Sequence, residues 1–527
     1  MRKADAMTLP DFPQVPEING RILIGGKIRD RGFETKPVMT TCERGQPRQM
    51  GTTPHVNIEI LNEAVEAAAT AWNQGQGAWP SARMEERVSA VIKFREAMVA
   101  QRELICRLLM WEIGKSWPDA QNEFDRTVQY ITDTIEAVKK LDRDSSRFQF
   151  SGGVMAQIRR TPLGVTLCMG PFNYPLNETF TTLIPALIMG NTAVVKVARY
   201  GQLLWDPLLE GFRDSFPEGV VNVVNGLGRE IVNPVVRHGK IDVLAFIGTS
   251  RVANQIKTSH PQPFRFRSIL SLEAKNPAIV MEDADLDNAV SECVRGALSF
   301  NGQRCTALKM IFVHRTIAPE FIKRLVTKVD SLIAGMPWEP NVSITPLPDP
   351  AKGNYLTELI KDAVEKGATL ANPERGGRRE GNLFYPAVLT KVSLDARVAS
   401  EEQFGPVIPV REYDQLEEIE TFIRNSPYGN QASLFGEDPE KMGMMIDYLS
   451  NQVCRININT QCQRGPDVYP FTGRKNSAEG TLSVFDALRA FSIRCMVAAK
   501  QDPSGQRVIQ KILHSDSSKF LSTNVVL

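Results

Sequence analysis

The residues best suited to covalent chemistry lie in the run SFNGQRCTALK, residues 299 to 309, where Cys305 follows Arg304 directly. A cysteine attacks as its thiolate, and a neighbouring guanidinium or a helix N-terminus lowers the thiol pKa toward that form. The alternative for Cys305 is a buried structural thiol, because free cysteine is among the most buried residue types. Other chemistries find less support. The five histidines, at 55, 238, 260, 314 and 514, lie far apart, with no H-E-x-x-H helix and no Cys/His cluster, so no metal site is expected. Neither a Walker-type phosphate loop nor a G-x-S-x-G nucleophile turn occurs, and GLGREI, residues 226 to 231, carries two of the three glycines of a dinucleotide fingerprint.

The elements that must position such a thiol are legible as periodicities. Residues 57 to 143 carry apolar residues at three- and four-residue spacing, as in NEAVEAAATAWNQ, and predict long amphipathic helices. From about residue 145 short β-like runs alternate with helical ones: VTLCMG, TAVVKVA, GVVNVVNG and VLAFIG. That alternation predicts a doubly wound parallel sheet. A second series runs from LSLEAKNPAIVM through KMIFVHR, FYPAVLTKV, FGPVIPVREY and QASLFG to CRININT, and predicts a second α/β domain. The turn-rich segment 339 to 353 reads as a surface loop, and residues 503 to 527 read as a polar tail ending in a few apolar residues.

Bulk properties narrow the partners. A chain of 527 residues exceeds one ordinary core, and its 62 basic and 60 acidic residues nearly cancel to +2. No long single-sign run favours nucleic acid or a membrane surface, so a small-molecule partner is expected. The N-terminal run MRKADAMTLPDFPQVPEING lacks the apolar core of a signal peptide, and no apolar run reaches membrane-spanning length, which makes the cytoplasm the expected compartment. Eight cysteines without a C-x-x-C pair are expected to be reduced.

The segment MGPFNYPLNETFTTLIPALIMGNTAVVKVARY, residues 169 to 200, together with FNGQRCTALK and EEQFGPV at 401 to 407, resembles the aldehyde dehydrogenase superfamily, with the motifs in that family's order. The resemblance implies an aldehyde dehydrogenase-like α/β fold. Its parts would be a doubly wound cofactor-binding domain (1–146 and 161–275), an α/β catalytic domain (276–485), a small β oligomerisation arm (147–160 and 486–502) and the C-terminal tail (503–527). It also implies a homodimer or homotetramer. Cys305 would attack the aldehyde, and Asn173 with the backbone N–H of Cys305 would stabilise the oxyanion. Such a donor contributes roughly 3 kcal/mol. Glu402, Phe404, Lys196, Gly248 and Thr249 match cofactor-contacting positions. Arg199 stands where NAD-preferring members often carry a glutamate; an arginine suits a 2′-phosphate, so NADP is the expected cofactor, with NAD as the alternative.

Within the superfamily the chain looks most like the non-phosphorylating glyceraldehyde-3-phosphate dehydrogenases. Arg126, Tyr174, Arg304 and Arg464 match that group's substrate-phosphate positions, which implies a small phosphorylated aldehyde oxidised to the acid through a thiohemiacetal and a thioester. The rivals are another small acidic aldehyde such as a semialdehyde, and a catalytically silent relative. One run departs from the family's pattern. Where most members carry Glu-Leu-Gly-Gly-Lys, this chain has Ser271-Leu272-Glu273-Ala274-Lys275, with serine at the general-base position. Residues i and i+2 of an extended segment share a side, so Glu273 is expected to face the thiol as the substitute base. Without any such base, the thioester would pass to another acceptor such as coenzyme A.

Overall fold

The computed structural model describes residues 14–43 and 47–526; residues 1 to 13 of the N-terminal run considered above lie outside the described residues. The helical pattern of the first third yields α1 (Met84–Val99) and α2 (Trp117–Ser145). Ser116 caps α2 by accepting from the Asp119 N–H, and Pro118 fits the first turn, where its missing N–H costs nothing. Along α2, Ala120, Phe124, Thr127, Ile131, Ile135 and Val138 form one buried stripe. The chain then makes an antiparallel pair, β1 (Phe148–Ser151) and β2 (Val154–Pro162), and β2 also pairs antiparallel with the late strand Ser492–Lys500.

The first α/β series follows: β3 (Val165–Met169), α3 (Asn177–Ile188), β4 (Thr192–Lys196), β5 (Val221–Val224), β6 (Val243–Ile247), α4 (Ser250–Ser259) and β7 (Arg267–Ser271). The strands pair in parallel in the order β7-β6-β3-β4-β5, with short antiparallel strands at both edges. Every residue of β3 to β6 is buried, as expected of a parallel sheet covered on both faces. Alternate residues enter opposite cores: Leu167 and Val194 pack on one side, Cys168 and Val195 on the other. The strand order reverses between β3 and β6, and a crevice opens beyond their carboxyl ends, at the kind of switch point where open α/β sheets bind ligands.

A second parallel sheet contains β8 (Asn276–Val280), β9 (Leu308–His314), β10 (Ala387–Thr390), β11 (Val407–Tyr413), β12 (Gln431–Phe435) and β13 (Arg455–Ile458), ordered β10-β11-β9-β8-β12-β13, with a short antiparallel strand beyond β10. The helix α5 (Leu286–Leu298) joins β8 to β9 and delivers the segment containing Cys305.

Two expectations need correction. The segment 339 to 353 is not a surface loop throughout, because Ile344 to Pro348 are buried and the Thr345 side chain and backbone bond to Asn301. The last residues are not a plain tail. Asp502 caps α6 (Pro503–His514), and Leu521, Ser522 and Val526 beyond it are buried.

Candidate active site

Between α5 and β9 the backbone passes through three consecutive left-handed residues: Phe300 (φ 48°), Asn301 (φ 56°) and Gly302 (φ 69°). Left-handed geometry at two non-glycine residues is strained and persists only where the surroundings fix it. Here Asn301, fully buried, donates through Nδ2 to the Thr345 carbonyl at 3.0 Å and accepts from the Thr345 N–H at 2.9 Å. Gly302 is required by space as well as by φ, since a Cβ there would lie 2.6 Å from the Ala297 carbonyl oxygen. The tight loop sets the half-buried Cys305 just before β9, in the wall of a cavity of about 470 Å³.

The carbonyl of Cys305 accepts from Asn276 Nδ2 at 2.8 Å and from Lys309 Nζ at 3.1 Å. Burial pushes the thiol pKa up, and the ammonium of Lys309 and guanidinium of Arg304 oppose that shift. Asn173 lines the same cavity at 5% exposure, and one of its amide N–H groups donates to the Gln303 carbonyl at 2.7 Å. An amide nitrogen carries two hydrogens, so the second remains for an oxyanion. Glu402 faces the cavity too. It is ion-paired with Lys309, itself 1% exposed at its side chain, and accepts from the Ala274 N–H at 3.1 Å.

All four residues expected to hold the substrate's phosphate line this cavity. Their charges, however, are unequally free. Arg126 grips Asp467 through Nε at 2.8 Å and Nη2 at 2.7 Å, while Arg464 is ion-paired with Glu178 and lies 3.3 Å from Asp467. Tyr174 has the Lys115 ammonium 3.3 Å from its ring centroid, and Lys115 in turn is paired with Glu123. Arg304 bonds only to the Gly296 carbonyl at 2.9 Å and the Gln461 amide at 3.4 Å, and its buried Nε has no hydrogen-bond partner. Among the described residues it is therefore the member of the four whose cation is not already matched by a carboxylate or, for tyrosine, neutral. Sequence reasoning missed Lys309, Asn301, Glu178 and Asp467. Lys309, Asn301 and Glu178 stand inside runs already singled out, but nothing local signals their partners.

A second cavity, about 640 Å³, opens at the carboxyl ends of β3 and β6 and shares Asn173, Gly248, Glu402 and Phe404 with the first. Arg199, Gly248 and Thr249 line it, and Thr249 caps α4. Lys196 is 6% exposed beneath Gly228, where a Cβ would lie 3.5 Å from its Nζ, and burial alone lowers its pKa to about 8. Arg199 in the lining of this crevice suits the phosphate of a phosphorylated dinucleotide, whereas Lys196 lies under Gly228 and not in the cavity wall. Lys275, fully enclosed, fixes the adjacent segment by donating to the carbonyls of Val398 at 2.5 Å and Glu401 at 2.7 Å and to Gln403 Oε1 at 2.7 Å.

The expectation for Glu273 is corrected here. β7 stops at Ser271, so residues 272 to 275 are not in strand conformation and the same-side rule of an extended chain does not carry from 271 to 273. Ser271 lines the thiol cavity, with its buried Oγ lacking a hydrogen-bond partner, whereas Glu273 lines the second cavity and accepts from the Ser250 N–H at 2.7 Å. It sits at the positive end of α4 rather than beside the thiol.

Comparison with known proteins shows what the whole chain is similar to. A family model described as "Aldehyde dehydrogenase family" matches residues 34–496. The NADP-dependent glyceraldehyde-3-phosphate dehydrogenase of Streptococcus equinus is 34% identical over 457 residues, 86% of this chain and 92% of that protein. Malonate-semialdehyde dehydrogenase 1 of Geobacillus kaustophilus (strain HTA426) is 28% identical over 91% of this chain and 97% of its own length. Among solved structures, the NADP-dependent glyceraldehyde-3-phosphate dehydrogenase of Bacillus halodurans C-125 complexed with NADP superposes with a TM-score of 0.85 at 32% identity, covering 92% of this chain and 100% of that one.

Proposed function

Since the chain belongs to the aldehyde dehydrogenase family, we propose that it oxidises glyceraldehyde 3-phosphate to 3-phosphoglycerate with NADP, without phosphorylation. The observation that carries this reading is the convergence of Cys305, Asn173, Arg126, Tyr174, Arg304 and Arg464 on one cavity adjoining the crevice at the β3/β6 switch. The Streptococcus and Bacillus relatives are named NADP-dependent glyceraldehyde-3-phosphate dehydrogenases.

In this reading the Cys305 thiolate bonds to the aldehyde carbon, and the carbonyl oxygen becomes an alkoxide held by the Asn173 amide and the Cys305 N–H. NADP, when bound, accepts the hydride that leaves this carbon. Arg199 and Lys196 would hold it, with Phe404, Gly248 and Thr249 shaping its crevice. The resulting Cys305 thioester is attacked by water, which releases the acid and restores the thiol. With serine at 271 and Glu273 turned away, Glu402 is the carboxylate placed to take the water's proton: it faces the thiol cavity, and its partner Lys309 touches the Cys305 carbonyl.

Arg304 tests the substrate. Arg304→Ala should raise KM for glyceraldehyde 3-phosphate about tenfold, the usual weight of a charge-assisted hydrogen bond, while leaving KM for unphosphorylated glyceraldehyde nearly unchanged. Equal effects on both would remove Arg304 from the phosphate site. A carboxylate semialdehyde is the second reading, favoured by the internal pairing of Arg126 and Arg464, which leaves fewer free cations than a dianion would use. Higher kcat/KM for malonate semialdehyde than for the phosphorylated aldehyde would establish it.

Homo-oligomerisation through the sheet of β1, β2 and Ser492–Lys500 belongs to the same proposal. Met496 (59%), Phe150 (60%) and Ile493 (45%) are exposed there. Light scattering on the purified chain should give a dimer or tetramer, and a monomer would exclude that assembly. Among the described residues no helix is long and apolar enough to cross a membrane, and all eight cysteines are free.

A further inference from the structure

The helix α2 reaches two cavities. Asp119, Asn122 and Arg126 of its first part line the thiol cavity, whereas Leu141, Asp142 and Ser145 at its other end line a separate one of about 260 Å³. Five cations face this second space: Arg83, Arg87, Arg159, Arg160 and Lys519. Arg83 is neutralised by Asp516 at 2.7 Å and Arg159 by Asp142 at 2.8 Å, which leaves three without a carboxylate among the described residues.

Arg87 is the most telling of them. It is 6% exposed, its Nη1 donates to the Ala82 carbonyl at 2.9 Å, and its Nε has no hydrogen-bond partner. The charges of Asp142 and Glu86 reach Arg87 through space without forming an ion pair, and a buried cation so incompletely matched is costly. Burial lowers the Arg87 pKa to about 10, and Arg160 is lowered by burial and by its neighbours Arg489 and Arg494. Arg160 itself is satisfied only by neutral groups, the Ser492 hydroxyl at 2.7 Å and the Arg489 and Ser492 carbonyls at 2.7 and 2.9 Å. The carbonyl ends of α2 and α3 also lie near, and they weaken the positive field without providing a full charge.

We propose that this cavity is a binding site for a small phosphate monoester, distinct from the catalytic cavity. Guanidinium groups present paired N–H donors that match phosphate oxygens, and the volume is at the small end for an organic ligand. Lys519 and Phe520, beyond α6, form part of the wall, so an occupant would fasten the C-terminal segment to α1 and α2.

Glycerol 2-phosphate and inorganic phosphate are the probes, titrated by calorimetry into the full chain. Titrations use an Arg304→Ala background, so that binding in the thiol cavity is weakened; should that cavity not bind phosphate, the comparison still reads this site alone. Adding Arg160→Gln and Lys519→Gln should weaken glycerol 2-phosphate about tenfold. In the unsubstituted chain, which avoids any folding defect of a variant, the ester should slow hydrogen exchange at residues 83 to 87 and 516 to 522. Unchanged titrations with no such protection would overturn the proposal, and a response to inorganic phosphate alone would overturn the assignment to an ester.

Discussion

At Cys305 the surroundings pull in opposite directions: burial, and with it the Glu402 carboxylate, raises the thiol pKa, while Lys309 and Arg304 draw it down. Because the thiolate is the reactive form, alkylation of Cys305 by iodoacetamide should quicken about tenfold per pH unit from pH 7 to 8. Lys309→Met should slow it about tenfold at pH 7.5, the effect of losing a nearby cation. A flat pH profile would mean that the thiol is already ionised. The two carboxylates near the crevice should separate cleanly. Glu273→Gln keeps the acceptor for Ser250 but removes charge from the cofactor cavity, so KM for NADP should fall roughly two- to fivefold with kcat unchanged. Glu402→Gln should preserve the first-turnover NADPH burst and slow steady turnover; loss of the burst would assign Glu402 to the cofactor alone. Cys305 and Asn173 were legible because their motifs are local. The destiny of Glu273 was not, because it turns on where β7 ends, and the Lys309–Glu402 pair joins residues 93 positions apart.

Among the elements, α2 and α3 are joined by a device that no periodicity reveals. Glu123 of α2 accepts from the N–H groups of Leu176 and Asn177, both at 3.1 Å, at the start of α3, and its other oxygen is paired with Lys115. Both side chains of that pair are fully buried. Removing one partner strands the other's charge, so Lys115→Met should cost about 3 to 5 kcal/mol in denaturant unfolding. An unchanged midpoint would show that the pair does not carry this weight in the fold. The strands themselves were readable, since TAVVK, VLAFI and KMIFVH are apolar runs of strand length that a two-sided sheet buries whole. The segment 339 to 353 misled because its prolines and asparagine signal turns without saying which way the turns face. The helix α6 left a fair signal, an Asp-Pro start, that the polar composition of the tail hid.

For the whole molecule, the decisive arrangement is that the carboxyl ends of β3 and β6 in one sheet meet the loops entering β8, β9 and β11 of the other. Strand alternation announces a doubly wound sheet and a second α/β domain, and the switch-point rule places a ligand where the strand order reverses. What alternation cannot convey is how one crevice faces the other, and hence why Asn173, Gly248, Glu402 and Phe404 border both cavities. Under the proposed function, that shared border would let a carbon bound to Cys305 meet a dinucleotide held in the second cavity. In the same proposal, cofactor choice becomes a property of the crevice rim, where Arg199 would pair with the extra phosphate of NADP.

The most direct test is absorbance at the NADPH band when the purified chain meets glyceraldehyde 3-phosphate and NADP without inorganic phosphate or coenzyme A, with Cys305→Ala as control. Sustained NADPH formation that the Cys305→Ala variant lacks is the predicted result. A single stoichiometric burst, or turnover that survives the loss of Cys305, would contradict a hydrolytic route through this thiol.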